Sequence, residues 1–397
     1  MAVNLDSARA GPSVISIVAI NSVLVAGVLS FGIFPVMVDG LVRLAHLGVR
    51  EAGLCVTAEM AGQAVGAAGV LVLRHRMGSR HVCGIALALI LFGNALSMGV
   101  TGSLLMLLIA RSVAGIGCGL TVVCIGLFAT TKNPERNFAI FNAAAVVLGA
   151  ALAAAAPFVY RCYGMIGIFA AIGGAAGLCL MMVPFIPEFG SKAPGQEAKA
   201  AQANFSPGPI ALACIMAAGF FISTGMFWSY AGQIGAWHHL DVTAVSSAVA
   251  SAWLIGGLLG SILAAPTSRR VSRTVSTVAC SAGTALVAFA STIVGDTKSF
   301  AVLLHGFVFL WFLLYPIQMG IFSEVDASGQ LTMLAYLSQL IALAVGPALG
   351  GLILQSNSYY AFGLWCGLGY LIFICAALIL LRSAYKSSRD ASVAPSG

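Results

Sequence analysis

Two ionisable side chains, Glu59 and Arg111, lie deep inside long apolar runs of this 397-residue chain. If such runs cross a bilayer, an ionised group near the middle costs at least ~2.5–3.5 kcal/mol even on a lenient insertion scale. An Arg so placed offers a planar fork that can bind a carboxylate through two parallel hydrogen bonds. A Glu so placed is pushed towards its neutral form by burial and towards its charged form by a neighbouring cation, so alternating exposure can switch it. Two readings follow: a site that binds a solute carboxylate and exchanges a proton, or a permanent ion pair that docks one helix on another. Gln63 stands at i+4 from Glu59 and shares its face, either extending a polar, cavity-directed stripe or making an interhelical hydrogen bond.

The elements that position these residues are legible in the composition. Hydrophobic residues make up 60% of the chain and charged ones 8%, against about 25% charged in soluble globular proteins, which excludes a water-soluble enzyme. Twelve runs of 18 or more mostly apolar residues stand at 14–38, 52–73, 82–101, 103–130, 138–160, 164–186, 209–232, 244–266, 275–294, 300–322, 331–354 and 361–381. About 20 apolar residues span the hydrocarbon core as a helix, so each run predicts one transmembrane helix. Glu59 then lies about 10 Å below the outer end of the second span and Arg111 about 12 Å below that of the fourth. Their depths match. The polar stretch before the first span is short, and the run from Val14 to Val38 is too long for a signal-peptide core, so it is expected to stay as a span.

Positive charge sets the orientation. With the N-terminus inside, fourteen Lys and Arg fall on the inner side and four (Arg43, Arg50, Arg161 and Lys298) on the outer side. This predicts a multi-pass protein of the cell (cytoplasmic or inner) membrane with both termini cytoplasmic. The net charge of +7 is spread thinly, with no dense basic stripe, so nucleic acid is not an expected partner. Ten Cys occur without Cys-x-x-Cys or Cys/His spacing; they read as packing residues, and neither a metal nor another cofactor is expected.

The longest polar gap, 187–208, predicts a division into an N-terminal six-helix bundle at 1–187, a cytoplasmic linker at 188–208, and a C-terminal six-helix bundle with a short tail at 209–397. The halves read as a weak repeat. Arg74 to Arg80 after the second span has a counterpart in Ser268 to Arg273 after the eighth, about 194 residues on, and Ala156-Pro157 has one in Gly346-Pro347, offset by 190. A parallel repeat of this kind places the solute site at the interface of the halves.

These residues resemble the major facilitator superfamily of secondary transporters over essentially the whole chain. The family's basic loop between its second and third helices, Gly-x-x-x-Asp-Arg-x-Gly-Arg-Arg, aligns with Leu71 to Arg80. Arg76, Gly78 and Arg80 match, while Leu71, His75 and Ser79 depart, so the acid of a family-like inner latch is missing at position 75. Arg111-x-x-x-Gly115-x-Gly117-x-Gly119 is similar to the family's Arg-then-glycine signature in its fourth helix. Gly346-Pro347-Ala348-Leu349-Gly350-Gly351 is similar to a string that family antiporters carry on their fifth helix, here on the eleventh.

The resemblance implies an all-α membrane protein of twelve transmembrane helices in two six-helix bundles, moving a small organic solute by alternating access with proton coupling. Gating would involve Arg76, Gly78, Arg80, Gly346 and Pro347, the last by bending its helix. The seventh and tenth helices would line the C-terminal side of the cavity, which makes Trp228 and Tyr315 candidate solute contacts. Asn21, Gln63, Tyr336 and Gln339 are further polar candidates beside Arg111. Proton-coupling candidates are Glu59, Asp39 at the outer end of the first span, and His305, about 7 Å inside the tenth. Packing alternatives stay open for each: a helix-end role for Asp39, a neutral His305 bonded to a neighbouring helix, and lipid-interface packing for the aromatics.

No Gly-x-x-x-x-Gly-Lys-[Ser/Thr], Gly-x-Ser-x-Gly or His-Glu-x-x-His string occurs, so the chain is not expected to be an enzyme, and an ion gradient is the expected energy source. Arg111 favours an organic anion and the aromatic wall a ring-bearing one, such as an aromatic acid. The alternatives are a drug or metabolite/proton antiporter and, more remotely, a non-transporting receptor or passive channel. The expected working unit is a monomer, with a small organic solute, protons and the lipid bilayer as partners.

Overall fold

A computed structural model describes residues 13–73, 76–129, 131, 134–188, 207–325, 330–356 and 358–393, and among them there is no strand. The first predicted span, 14–38, covers one helix, α1 (Val14–Gly32), and only the start of a second, α2 (Phe34–Leu44). They part at Ile33, and Pro35 sits in the first turn of α2, where its missing N–H costs nothing. The second and third spans are α3 (Val49–Leu73) and α4 (Ser79–Gly99). The fourth breaks into α5 (Leu104–Leu120) and α6 (Val123–Ala129), with the Thr121 hydroxyl donating back to the Cys118 carbonyl at 2.7 Å.

The fifth and sixth spans run together as α7 (Pro134–Leu180), interrupted at Gly164. Its φ of 59° and ψ of −151° suit glycine and few other residues, so one residue does the work of the predicted loop. Then follow α8 (Pro207–Trp237), α9 (Val242–Ser251), a π-helical turn (Ala252–Gly256), α10 (Gly257–Arg270), α11 (Arg273–Ser291), α12 (Thr297–Val325), α13 (Gln330–Gln355) and α14 (Tyr359–Val393). Ten helices among the described residues are long and apolar enough to cross a membrane; one of them, Arg136–Leu180, holds two predicted spans, and α3 with Glu59 and Gln63 completes the twelve.

The surface is apolar and several buried groups are polar, the inverse of a soluble protein. Val302, Leu178 and Leu286 are 71%, 69% and 67% exposed, while Arg111, Glu59, Asn94, Thr224 and Gln318 are fully enclosed. Lipid solvates the first set; the second must find partners inside.

The chain forms two compact units. The first comprises Met1–Gly32, Ala58–Gly149 and Phe158–Lys192; the second comprises Ile33–Thr57, Ala150–Pro157 and Ala193–Gly397. The predicted linker at 188–208 falls mostly outside the described residues. In the first unit the glycines of α5 set the packing. A side chain at Gly115 or Gly119 would strike the carbonyls of Glu59 or Gln63 on α3, and one at Gly117 would strike Ala86 and Ile90 on α4. Backbone-to-backbone contact of this kind is how small residues join helices in lipid. In the second unit α8 is the central strut, with α13, α14 and α2 packed along it.

The inner loop departs from expectation in an informative way. His75 lies outside the described residues, but an acid is present nearby: Glu188, beyond the sixth span, takes a 3.1 Å bond from the Ser79 hydroxyl and lies 3.9 Å from Arg80. The Ser79 hydroxyl also donates to the Pro187 carbonyl at 2.6 Å, and Arg80 Nε donates to the Ile186 carbonyl at 2.6 Å. Gly78 is pressed against Glu188, whereas Arg76 is exposed.

Candidate functional site

The close seat of α5 on α3 brings Arg111 onto Glu59, the two residues whose depths matched in the sequence. Arg111 Nε donates to Glu59 Oε2 at 3.2 Å, and Nη2 donates to the same oxygen. Nη1 donates to Asn94 Oδ1 on α4 at 2.9 Å, and Asn94 is held in turn by its own Nδ2 on the Ile90 carbonyl at 2.8 Å. The Phe169 ring of α7 lies 5.2 Å from the guanidinium carbon, within cation–π range.

Arg111 and Glu59 are both 0% exposed. Of the two readings open in the sequence, this conformation presents the pair: the guanidinium is sealed and turns no donor towards solvent. Glu59 is less completely satisfied, because both donors converge on Oε2 and Oε1 is buried without a hydrogen-bond partner. Asn94 was missed because a neutral residue on a third helix has no spacing relation to either charge.

Other candidates in the first unit stand apart. Asn21 is buried, with Nδ2 on the Ile17 carbonyl of its own helix at 2.8 Å and Oδ1 unbonded. Gln63 is half-buried, its backbone carbonyl under Gly119.

In the second unit, three predicted residues come together. The Tyr315 phenol on α12 lies beside the Gln339 side chain and the Tyr336 phenol of α13. Phe221 of α8 meets Tyr315 edge-on at 5.9 Å. One turn on from Tyr315 is Gln318, which sequence reasoning missed. It is fully buried, and neither its amide nitrogen nor its amide oxygen has a hydrogen-bond partner; Gln339 Oε1 has none either. The i+3 spacing from Tyr315 was the available signal.

Trp228 is not part of this group. It is fully buried, stacked on Trp253 at 5.0 Å and edge-on to Trp311 at 6.1 Å, an indole core that includes the π-helical turn. His305 is half-buried, with Nδ1 2.7 Å from the Ala301 carbonyl, so its partner is its own helix and not the neighbouring one.

The remaining candidates collect at the predicted outer end of the second unit. Gln233 Nε2 on α8 donates to Asp39 Oδ1 on α2 at 3.0 Å, and Arg43 Nε lies 3.6 Å from Oδ2. Asp39 lies beyond the first apolar span, Val14–Gly32, and is 7% exposed. Burial pushes its carboxyl up to about 6, against a smaller lowering by Arg43. Nearby, the Tyr230 hydroxyl donates to the Pro347 carbonyl at 2.9 Å, with the Val49 carbonyl at 3.3 Å. Gly346 lies against the Ile222 carbonyl, and Gly350 and Gly351 lie against the Tyr230 ring and hydroxyl, so the glycine string is a seat for α8. Among the described residues no group of three or more His, Cys, Asp or Glu could hold a metal ion.

Comparison with known proteins agrees with this architecture. A family model described as Major Facilitator Superfamily matches residues 19–342. The structure is similar to the crystal structure of the D-xylose-proton symporter, with a TM-score of 0.69 and 18% identity, over 90% of this chain and 97% of that one. It is similar also to the inward open conformation of the xylose transporter XylE from E. coli, with a TM-score of 0.69 and 18% identity, over 92% of this chain and 95% of that one. No curated protein matches the sequence.

Proposed function

Because the chain belongs to the Major Facilitator Superfamily and carries its twelve-helix fold, we propose that it is a secondary active transporter moving a small organic solute by alternating access, coupled to protons. We assign Glu59 as the proton-exchanging group. The observation that carries this assignment is its lopsided bonding: one oxygen takes both Arg111 contacts, and the other is enclosed with none. The bare oxygen is the position at which a proton can be delivered without displacing an existing hydrogen bond. Arg111 and Asn94 then act as its positioning residues.

For the solute, Arg111 is enclosed in this conformation with its donors on Glu59 and Asn94, so the reading adopted rests on uncharged groups instead of an organic anion held by Arg111. The Tyr315, Gln318, Tyr336 and Gln339 group offers phenol hydroxyls and spare amide atoms but no charge, which fits a neutral solute bearing hydroxyl or amide groups. The two structural neighbours are named as xylose transporters, one of them as a proton symporter, and symport is the reading adopted here. Positive charge on the inner loops supports cytoplasmic termini in the cell membrane.

Uptake into proteoliposomes under an imposed pH gradient tests the proposal. Saturable, gradient-driven flux is expected, with coupled flux lost and solute exchange retained in Glu59→Gln. Intact coupling in Glu59→Gln removes Glu59 as the carrier; non-saturable flux indicates a pore. Protons leaving as solute enters indicates an antiporter.

A further inference from the structure

The contact of α2 with α8 contains an ionisable group that the coupling site does not use. Asp39 accepts a bond from Gln233 of α8, shares a crevice with Ser246 of α9, and has Arg43 on its own helix; among the described residues no other ionisable side chain lines that crevice. That crevice leaves about 10 Å³ free, room for roughly one water molecule, and its walls are otherwise apolar. Gly232 makes the contact possible, because a side chain there would strike the Pro35 carbonyl and press on Asp39 Cβ.

We propose that Asp39 is a second proton-binding group of the transport cycle, a positioning residue that latches α2 onto α8 when protonated and favours their separation when ionised. This rests on the transporter reading and its orientation above.

The chemistry of the contact is asymmetric between the two protonation states. Gln233 brings an amide and no charge, and its N–H can donate equally to the carbonyl oxygen of a neutral acid. Arg43 is one turn away with its side chain 39% exposed, so water screens most of its attraction. An ionised Asp39 is therefore poorly compensated while the contact is closed and well hydrated once it opens. Burial raises its pKa to about 6 in the closed contact. An open, hydrated aspartate sits near 4, so protonation accompanies closure, and lowering the outer pH from 7 to 5 should raise the closed-to-open ratio roughly tenfold. Unlike Glu59, Asp39 need carry no proton across; it times the opening.

The test is labelling of Ser246→Cys with a membrane-impermeant maleimide from the side away from the N-terminus, in proteoliposomes, with the exposed Cys162 and Cys375 replaced by Ser. The rate at each pH is divided by that of the same chain carrying Asp39→Asn, which cancels thiol ionisation; Asp39→Ser serves as the neutral reference where Asn does not fold. The ratio is expected to fall roughly tenfold from pH 7 to pH 5. A ratio that is flat with pH, or no labelling of either chain at any pH, overturns the latch. The readout needs no solute: pH-dependent labelling without transport leaves the latch standing and the transporter reading failed, and flat labelling with intact proton-driven uptake does the reverse.

Discussion

The Tyr230 hydroxyl donates to the Pro347 carbonyl at 2.9 Å and holds α8 against α13 at the point where the first turns of α3 arrive. Gly53 of α3 lies against that hydroxyl and the same carbonyl, and the Val49 carbonyl completes the contact at 3.3 Å. One phenol thus serves three helices of the second unit. Tyr230→Phe keeps the ring and removes the bond, with an expected loss of about 1 kcal/mol. Gly53→Ala should cost more, because its methyl group would occupy the place of the hydroxyl oxygen. In thermal unfolding in detergent, Tyr230→Phe should partly rescue Gly53→Ala.

Removing one member of the Glu59–Arg111 pair leaves the other buried and uncompensated. Glu59→Met and Arg111→Met should each destabilise by about 3–5 kcal/mol, and the double variant should be more stable than either single one. Asn94→Leu, which strips Arg111 Nη1 of its partner, should cost about 1–3 kcal/mol. Unfolding midpoints of the four chains decide this; equal, additive losses would mean that the pair is not coupled.

Asp39 makes the stability pH-dependent, with a sign that can be worked out. Its folded-state pKa of about 6 lies above the ordinary 3.8, so folding favours the protonated form. Stability from this group is greatest below about pH 4, declines as pH rises to about 6, and stays low above it. At pH 7.5 Asp39→Asn should therefore be more stable than the native chain by about 2–3 kcal/mol, and the difference should vanish near pH 4. Melting curves across that range check it.

Gln318 offers a stability–function trade-off. Replacing an unpaired buried amide by an apolar group of similar size removes a desolvation cost, so Gln318→Leu should raise the melting temperature of the solute-free protein. If its amide meets the solute, the same variant should raise KM about tenfold or more. A melting point raised with KM unchanged would assign Gln318 to the core alone.

How much of this was legible before the structure depends on the kind of signal. The spans were legible because each needs about 20 apolar residues, and the Glu59–Arg111 pair because both charges stand out at equal depth. The breaks at Ile33 and Thr121 were not, since each is a local backbone choice inside an apolar run. The boundary between the fifth and sixth spans was placed correctly at 160–164, yet its mechanism, a single glycine with positive φ, carries no polar punctuation. Asp39 meeting Gln233 joins residues 194 positions apart, and only three-dimensional packing reveals that. The stacking of Trp228 on Trp253 was hidden for a similar reason: Trp253 sits in a π-helical turn that no periodicity announced.

The glycines of α5 carry one more implication. At Gly115, Gly117 and Gly119 the α5 backbone meets that of α3 on one side and that of α4 on the other with no side chain between, which makes one slab of the three. Glu59, Arg111 and Asn94 come from those three helices, so they ride together, and gaining or losing a proton would be felt by the slab as a whole.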